Sequence, residues 1–173
     1  MVEFALLFGL LLMLALGAFE YGMVFRDSLT VTTASREGGR VAASTANHGD
    51  ADCVILEATA GALQSLNSGA ITEVHIYRSS ASGSYPGAGA DNVLYKPYGT
   101  VGPKLTCSSG VEWEGPSGGS NWTPAHRVDQ NFPAPWIGVR INYDHTWFTN
   151  FLWWNGTFSL SDDAVFRIEP PAP

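Results

Sequence analysis

Two carboxylates bracket a charge-free apolar run: Glu3 at the start of Phe4–Phe19 and Glu20 at its end. A carboxylate beside so apolar a segment is costly to bury and usually has a partner. For Glu3 the natural partner is a free α-amino group or a basic side chain of another copy. The alternative places both acids in the interfacial zones, with Glu20 near headgroup depth. Other chemistry has few starting points. Asp144–His145, His126 with Asp129, and His75 with Glu73 are the acid–histidine neighbourhoods. Adjacent strand residues point to opposite faces, so Asp144 and His145 would not act together. The sequence holds no GxSxG elbow, HExxH pair, phosphate loop or calcium loop, and neither enzyme activity nor a cofactor is expected. Asp50, Asp52, Asp162 and Asp163 read as solvated caps and turns rather than as a cation site.

Cys53 and Cys107 are the two cysteines. An even, minimal count behind a membrane-type N-terminus fits one disulfide in an oxidising compartment, against the alternative of two separate buried thiols. Such a bond would close a loop of about 55 residues and stabilise the fold by roughly 4 kcal/mol. No CxxC pair suggests zinc or redox chemistry. All six tryptophans lie in the C-terminal half. Trp147, Phe148, Phe151, Trp153 and Trp154 crowd one expected inter-strand loop. Core packing and an exposed interface, either between subunits or towards substrata and glycans, are equally open for them.

The elements that must position these residues follow from periodicity. Phe4–Phe19 spans about 24 Å as a helix, slightly short for a bilayer, and Tyr21, Met23, Val24 and Phe25 extend it around Glu20. A polar, helix-compatible stretch continues to Ala43, with Val31, Ala34, Val41 and Ala42 as an apolar stripe for a globular part. Gly9, Gly17 and Gly22 weaken this helix and invite a reason, such as close helix approach in lipid. Asp50 can N-cap a second helix with Ile55, Ala58, Ala62 and Leu66 on one face and Leu56 and Leu63 flanking, ended by Asn67-Ser68-Gly69. Ile71–Arg78 and Trp136–Trp147 alternate as strands. Short strands are expected near Val93–Tyr95, Leu105–Cys107 and Val111–Trp113 in an otherwise loop-like stretch. Gly156–Leu160 and Ala164–Glu169 close the fold, with Ser161-Asp162-Asp163 as a turn or bulge. The expected class is α+β: a long hydrophobic N-terminal helix, a short helix and an antiparallel sheet. Residues 1–47 form the membrane or filament-core helix and stem. Residues 48–173 form the head, with a loop-rich insertion around 79–135.

The net charge is -7 and no basic run occurs, which argues against nucleic acid as a partner. Arg26, Arg36 and Arg40 follow the apolar run, so the positive-inside rule would put the head in the cytoplasm, whereas a disulfide argues for export. A basic leader removed before maturation would reconcile the two.

The order of three pieces is similar to the N-terminal half of TadE-like proteins, pilin-like subunits of the Tad/Flp branch of type IV pili. These are Glu3-Phe4-Ala5 with its leucine-rich continuation, Phe19-Glu20-Tyr21-Gly22, and Ala34-Ser35-Arg36-Glu37-Gly38-Gly39-Arg40-Val41-Ala42-Ala43. Ala164–Pro170 also resembles that family's closing strand. The resemblance implies processing by a prepilin peptidase and a glutamate facing the amine of an adjacent subunit, a role that would fall to Glu3, third in this sequence. It implies a homo-oligomeric filament built by helix bundling with the pilus assembly machinery. The chain would reside in the bacterial cytoplasmic membrane before assembly and in an extracellular pilus after it. Alternatives are a minor or priming pseudopilin, or a membrane-anchored lectin-like adhesive module that does not polymerise.

Overall fold

The structure is a computed structural model that describes residues 2–46, 48–67, 70–80, 82–87, 92–97, 104–108, 110, 112–117, 122–124, 127, 136–149 and 155–169. Helix α1 runs Val2–Thr45 without a break and α2 runs Ala51–Ala62. The strands are β1 (Ile71–Ser79), β2 (Asn92–Pro97), β3 (Lys104–Thr106), β4 (Glu112–Ser117), β5 (Trp136–Thr146) and β6 (Thr157–Arg167). They form one antiparallel sheet in the order β3-β4-β2-β1-β5-β6. The class is therefore α+β, as the periodicity indicates.

Both helices cover one face of the sheet. Strand alternation sends Val74 and Ile76 of β1, Val93 and Tyr95 of β2, and Val139, Ile141 and Tyr143 of β5 to that face, where all are buried. From α1 the core receives Val31, Ala34, Ala42 and Ala46, whose spacings of three, eight and four residues keep them on one helix face. Small side chains dominate this stripe, and the backbone comes close where Gly38 and Gly39 replace them. A Cβ on Gly38 would stand 2.4 Å from Thr59 Oγ1, and one on Gly39 would stand 2.7 Å from the Phe166 ring.

Several expectations need correction. Of the expected α2 face, Ile55, Leu56 and Leu63 are buried and Ala62 and Leu66 pack against the core, but Ala51, Asp52 and Thr59 are buried in addition, and the helix ends at Ala62, before Asn67. Asp50 precedes α2 without a side-chain cap. β6 runs unbroken through Ser161-Asp162-Asp163, because each acid has a partner beside the ladder: Ser35 for Asp162, and Tyr77 and Arg140 for Asp163.

The disulfide Cys53–Cys107, with Cα atoms 5.3 Å apart, joins α2 to the chain just after β3. Next to it, Asp52 is buried as the centre of a second tie rather than solvated. Arg127 Nη1 donates to Asp52 Oδ1 at 2.5 Å and Tyr95 Oη donates to Oδ2 at 2.5 Å. Arg127 Nε donates to the Trp122 carbonyl, and its guanidinium lies 4.6 Å from the centre of the Trp122 ring. Burial first, and then the Asp52 charge, hold the Tyr95 hydroxyl far above its ordinary range.

On the sheet's other face, Gly138 leaves space for the Tyr77 ring, whose hydroxyl donates to Asp163 at 2.8 Å. Tyr85 packs edge-on against both Tyr77 and His75, and Arg140 lies 4.8 Å over its ring. His75 Nε2 meets Glu73 at 3.0 Å and Nδ1 meets Tyr85 Oη at 3.1 Å. Burial lowers the His75 pKa below 6.5 against the opposing pull of Glu73.

Candidate assembly surface along the N-terminal helix

α1 has two parts of opposite character. The 44-residue helix is about 66 Å long. Its C-terminal portion is docked on the head, whereas Phe4, Leu7, Phe8, Leu10, Leu11 and Leu14 are all more than half exposed. The helix is long and apolar enough to cross a membrane, and only 11% of its apolar window is buried within the protein. An apolar surface of this extent, left open by its own domain, requires either lipid or other protein.

The β5–β6 hairpin lies alongside α1 with its tip towards the bare end. Descending β5, Gly38 of the helix meets Val139, Asp27 meets Tyr143 and His145, and Glu20 meets Phe148 and Thr149. Rising through β6, Asp162 accepts from Ser35 at 3.0 Å, and Glu169 N–H donates to the Ala43 carbonyl at 2.9 Å. The chain thus stitches the hairpin to the helix at successive heights.

Glu20 is fully buried under the tip of this hairpin. Its Oε2 accepts from the Phe148 N–H at 3.1 Å and its Oε1 from the Thr149 N–H at 2.5 Å. The acid therefore finds its partner within its own chain, in the backbone of the aromatic loop. Glu3 lies within α1, and its side chain is outside the described residues.

Asp27 escapes a search for acids near the apolar run because Arg26 precedes it and the segment is already polar. It is nonetheless buried, with His145 Nδ1 at 2.7 Å and Tyr143 Oη at 3.3 Å. Burial, and then the Asp27 charge, push the Tyr143 hydroxyl up to about 12. The signal for this contact was the inward phase of β5, which carries Val139, Ile141, Tyr143 and His145 to the helix side. As that phase requires, Asp144 is separate from His145 and accepts from Ser159 at 2.6 Å. His126 and Asp129 lie outside the described residues.

The aromatic residues divide. Trp113 and Trp122 are in the core. Trp147 packs edge-on against His145 and lies 6.2 Å from the Phe158 ring. Phe148 is 75% exposed and touches Phe19 edge-on at 6.1 Å. Phe151, Trp153 and Trp154 lie outside the described residues. Among the described residues no cluster of three or more metal-ligating side chains occurs. An open groove of about 490 Å³ runs between α1 and the end of α2, lined by Gly22, Phe25, Leu29, Thr33 and Ala62 among others.

The chain thus combines a bare apolar helix end with a sheet docked along the rest of the helix. Residues 1–40 match the family of TadE-like proteins. That match covers the apolar segment and the first part of the docked stem. No curated protein and no solved structure matches the chain.

Proposed function

We propose that this chain is a structural subunit of an extracellular Tad-like type IV pilus, held in the cytoplasmic membrane until its helix transfers into a bundle of identical helices. The observation that carries this reading is the uncovered apolar surface of α1 from Phe4 to Phe25, joined to a TadE-like match over residues 1–40. Lipid and a helix bundle present the same apolar environment, so the transfer leaves Leu7, Leu10, Leu11 and Leu14 buried in both states. The docked half of α1 stays with the head, because Glu20, Asp27 and Ser35 are already bound to the hairpin.

In this reading the partners are other copies of the chain, a prepilin peptidase and the assembly machinery. Glu3, at the foot of the helix, meets the amine of a neighbouring copy. Glu20 holds the head in place. The chain's acidity favours none of the nucleic-acid-binding functions. A minor or priming subunit uses the same surfaces in smaller numbers.

Electron microscopy of sheared cell-surface material, with identification of the filament protein, tests the proposal. Filaments made mainly of this chain are expected. A chain confined to the membrane fraction would instead support a non-polymerising adhesive module. Glu3→Ala is expected to lower filament yield while leaving thermal unfolding of the head unchanged, and a normal yield would remove the pairing role.

A further inference from the structure

The tip of the β5–β6 hairpin is prepared for a non-aqueous neighbour. Where the chain leaves β5, the backbone amides of Phe148 and Thr149 are both bonded to the Glu20 carboxylate. In water neither amide needs such a partner, since solvent supplies one. In lipid every backbone N–H must be satisfied by the protein, and so must a carboxylate. The one arrangement meets both needs. It also sits at the right depth. The apolar run Phe4–Phe19 spans about 24 Å of a hydrocarbon layer roughly 30 Å thick, so the layer's edge falls within about a turn of Glu20. Phe148 touches the half-exposed Phe19 there and leaves 75% of its own surface open. Residues 147–149 carry no charge, and Trp147 is of a type that membrane interfaces select.

We propose that Trp147 and Phe148 form a second membrane contact, resting in the lipid interface beside α1, so that the unassembled head is held to the bilayer at two points. The proposal rests on the reading of α1 as a membrane span. The partner is the lipid surface, because the exposed patch is continuous with the bare apolar band of α1, and its attraction is apolar rather than electrostatic.

The test uses the full chain reconstituted in vesicles of phosphatidylethanolamine with a minor share of phosphatidylglycerol. Nitroxide labels are placed through Phe148→Cys, Ser159→Cys and Leu11→Cys, one at a time; the native cysteines are disulfide-bonded and do not react. All three positions are exposed, so the fold is not at stake. Collision with oxygen, which concentrates in lipid, is compared with collision with a water-soluble nickel chelate. The label at 148 is expected to favour oxygen several-fold, as at 11, while the label at 159 favours nickel. Nickel access at 148 equal to that at 159 overturns the proposal while leaving the span intact. Shielding of 148 from both reagents, with 11 still lipid-facing, means that a second copy or another protein covers the patch, and also overturns it. A label at 11 that favours nickel removes the span and the proposal together.

Discussion

Asp52 and Arg127 show what a single residue decides in this protein. Their side chains are 5% and 0% exposed, and each is the other's charge partner. Truncating either leaves an unpaired buried charge, a loss of about 3–5 kcal/mol. Urea unfolding of Asp52→Ala and Arg127→Ala, each with the disulfide intact, is expected to show unfolding free energies lowered by that amount, with the double variant less than additive. His75 makes a second residue-scale prediction. Its pKa is lowered below 6.5 by burial, so the folded head holds it neutral while the unfolded chain protonates it. Its contribution is fully present above pH 6.5 and is lost as pH falls through the interval down to the lowered value. Glu73, whose bonds to His75, Asn142 and Lys96 outweigh its burial, adds a further loss only below 4.5. The head's melting temperature should therefore fall on acidification from pH 7 towards pH 5, and His75→Gln should flatten that fall. An unchanged slope in the variant would assign it to other groups.

At the scale of elements, the glycines of α1 divide by what faces them. Gly38 is pressed against Thr59, whose hydroxyl is itself held by the Ile55 carbonyl at 2.8 Å, so an added methyl group has no room. Gly38→Ala is expected to destabilise the helix–sheet packing by about 1–3 kcal/mol. Gly22 has nothing within 4 Å of its Cβ direction. Gly22→Ala should leave the isolated chain unchanged or stabilise it by up to about 1 kcal/mol through helix propensity. Thermal unfolding of the two variants in detergent checks the opposite signs. Gly22 also lines the groove between α1 and α2. If neighbouring helices pack there in a filament, Gly22→Leu should cut filament yield without loss of monomer stability. Equal yields would place that contact elsewhere.

For the whole molecule, the arrangement separates two tasks along one helix. The N-terminal half of α1 offers apolar surface and little else. From Glu20 onward the helix is fixed to the hairpin by Glu20, Asp27 and Ser35 and to α2 by small residues. Loss of the Glu20 tie should therefore free the hairpin tip without melting the sheet. In Glu20→Ala the amides of Phe148 and Thr149 should exchange hydrogen faster by at least tenfold, about 1.4 kcal/mol of lost protection, while those of β1 keep theirs. Uniform loss of protection across the sheet would mean that the helix and head do not act as separable parts.

Periodicity and composition alone determined much of this. A charge-free run followed by a polar stripe can form only a long helix with one end bare, because burial on all sides and burial on one face leave different residue spacings. The alternation of Trp136–Trp147 marked β5 as a strand and put Asp144 and His145 on opposite faces, since a strand has only two. The breaks around α2 and in β6 were misread, for local turn signals in Asn67-Ser68-Gly69 and Ser161-Asp162-Asp163 say nothing of partners across the sheet. Only the tertiary structure gave Glu20 its partners in the aromatic loop, Asp27 its histidine and Asp52 its arginine 75 residues away. Such pairings depend on which charges are carried inside together, and sequence spacing does not encode that.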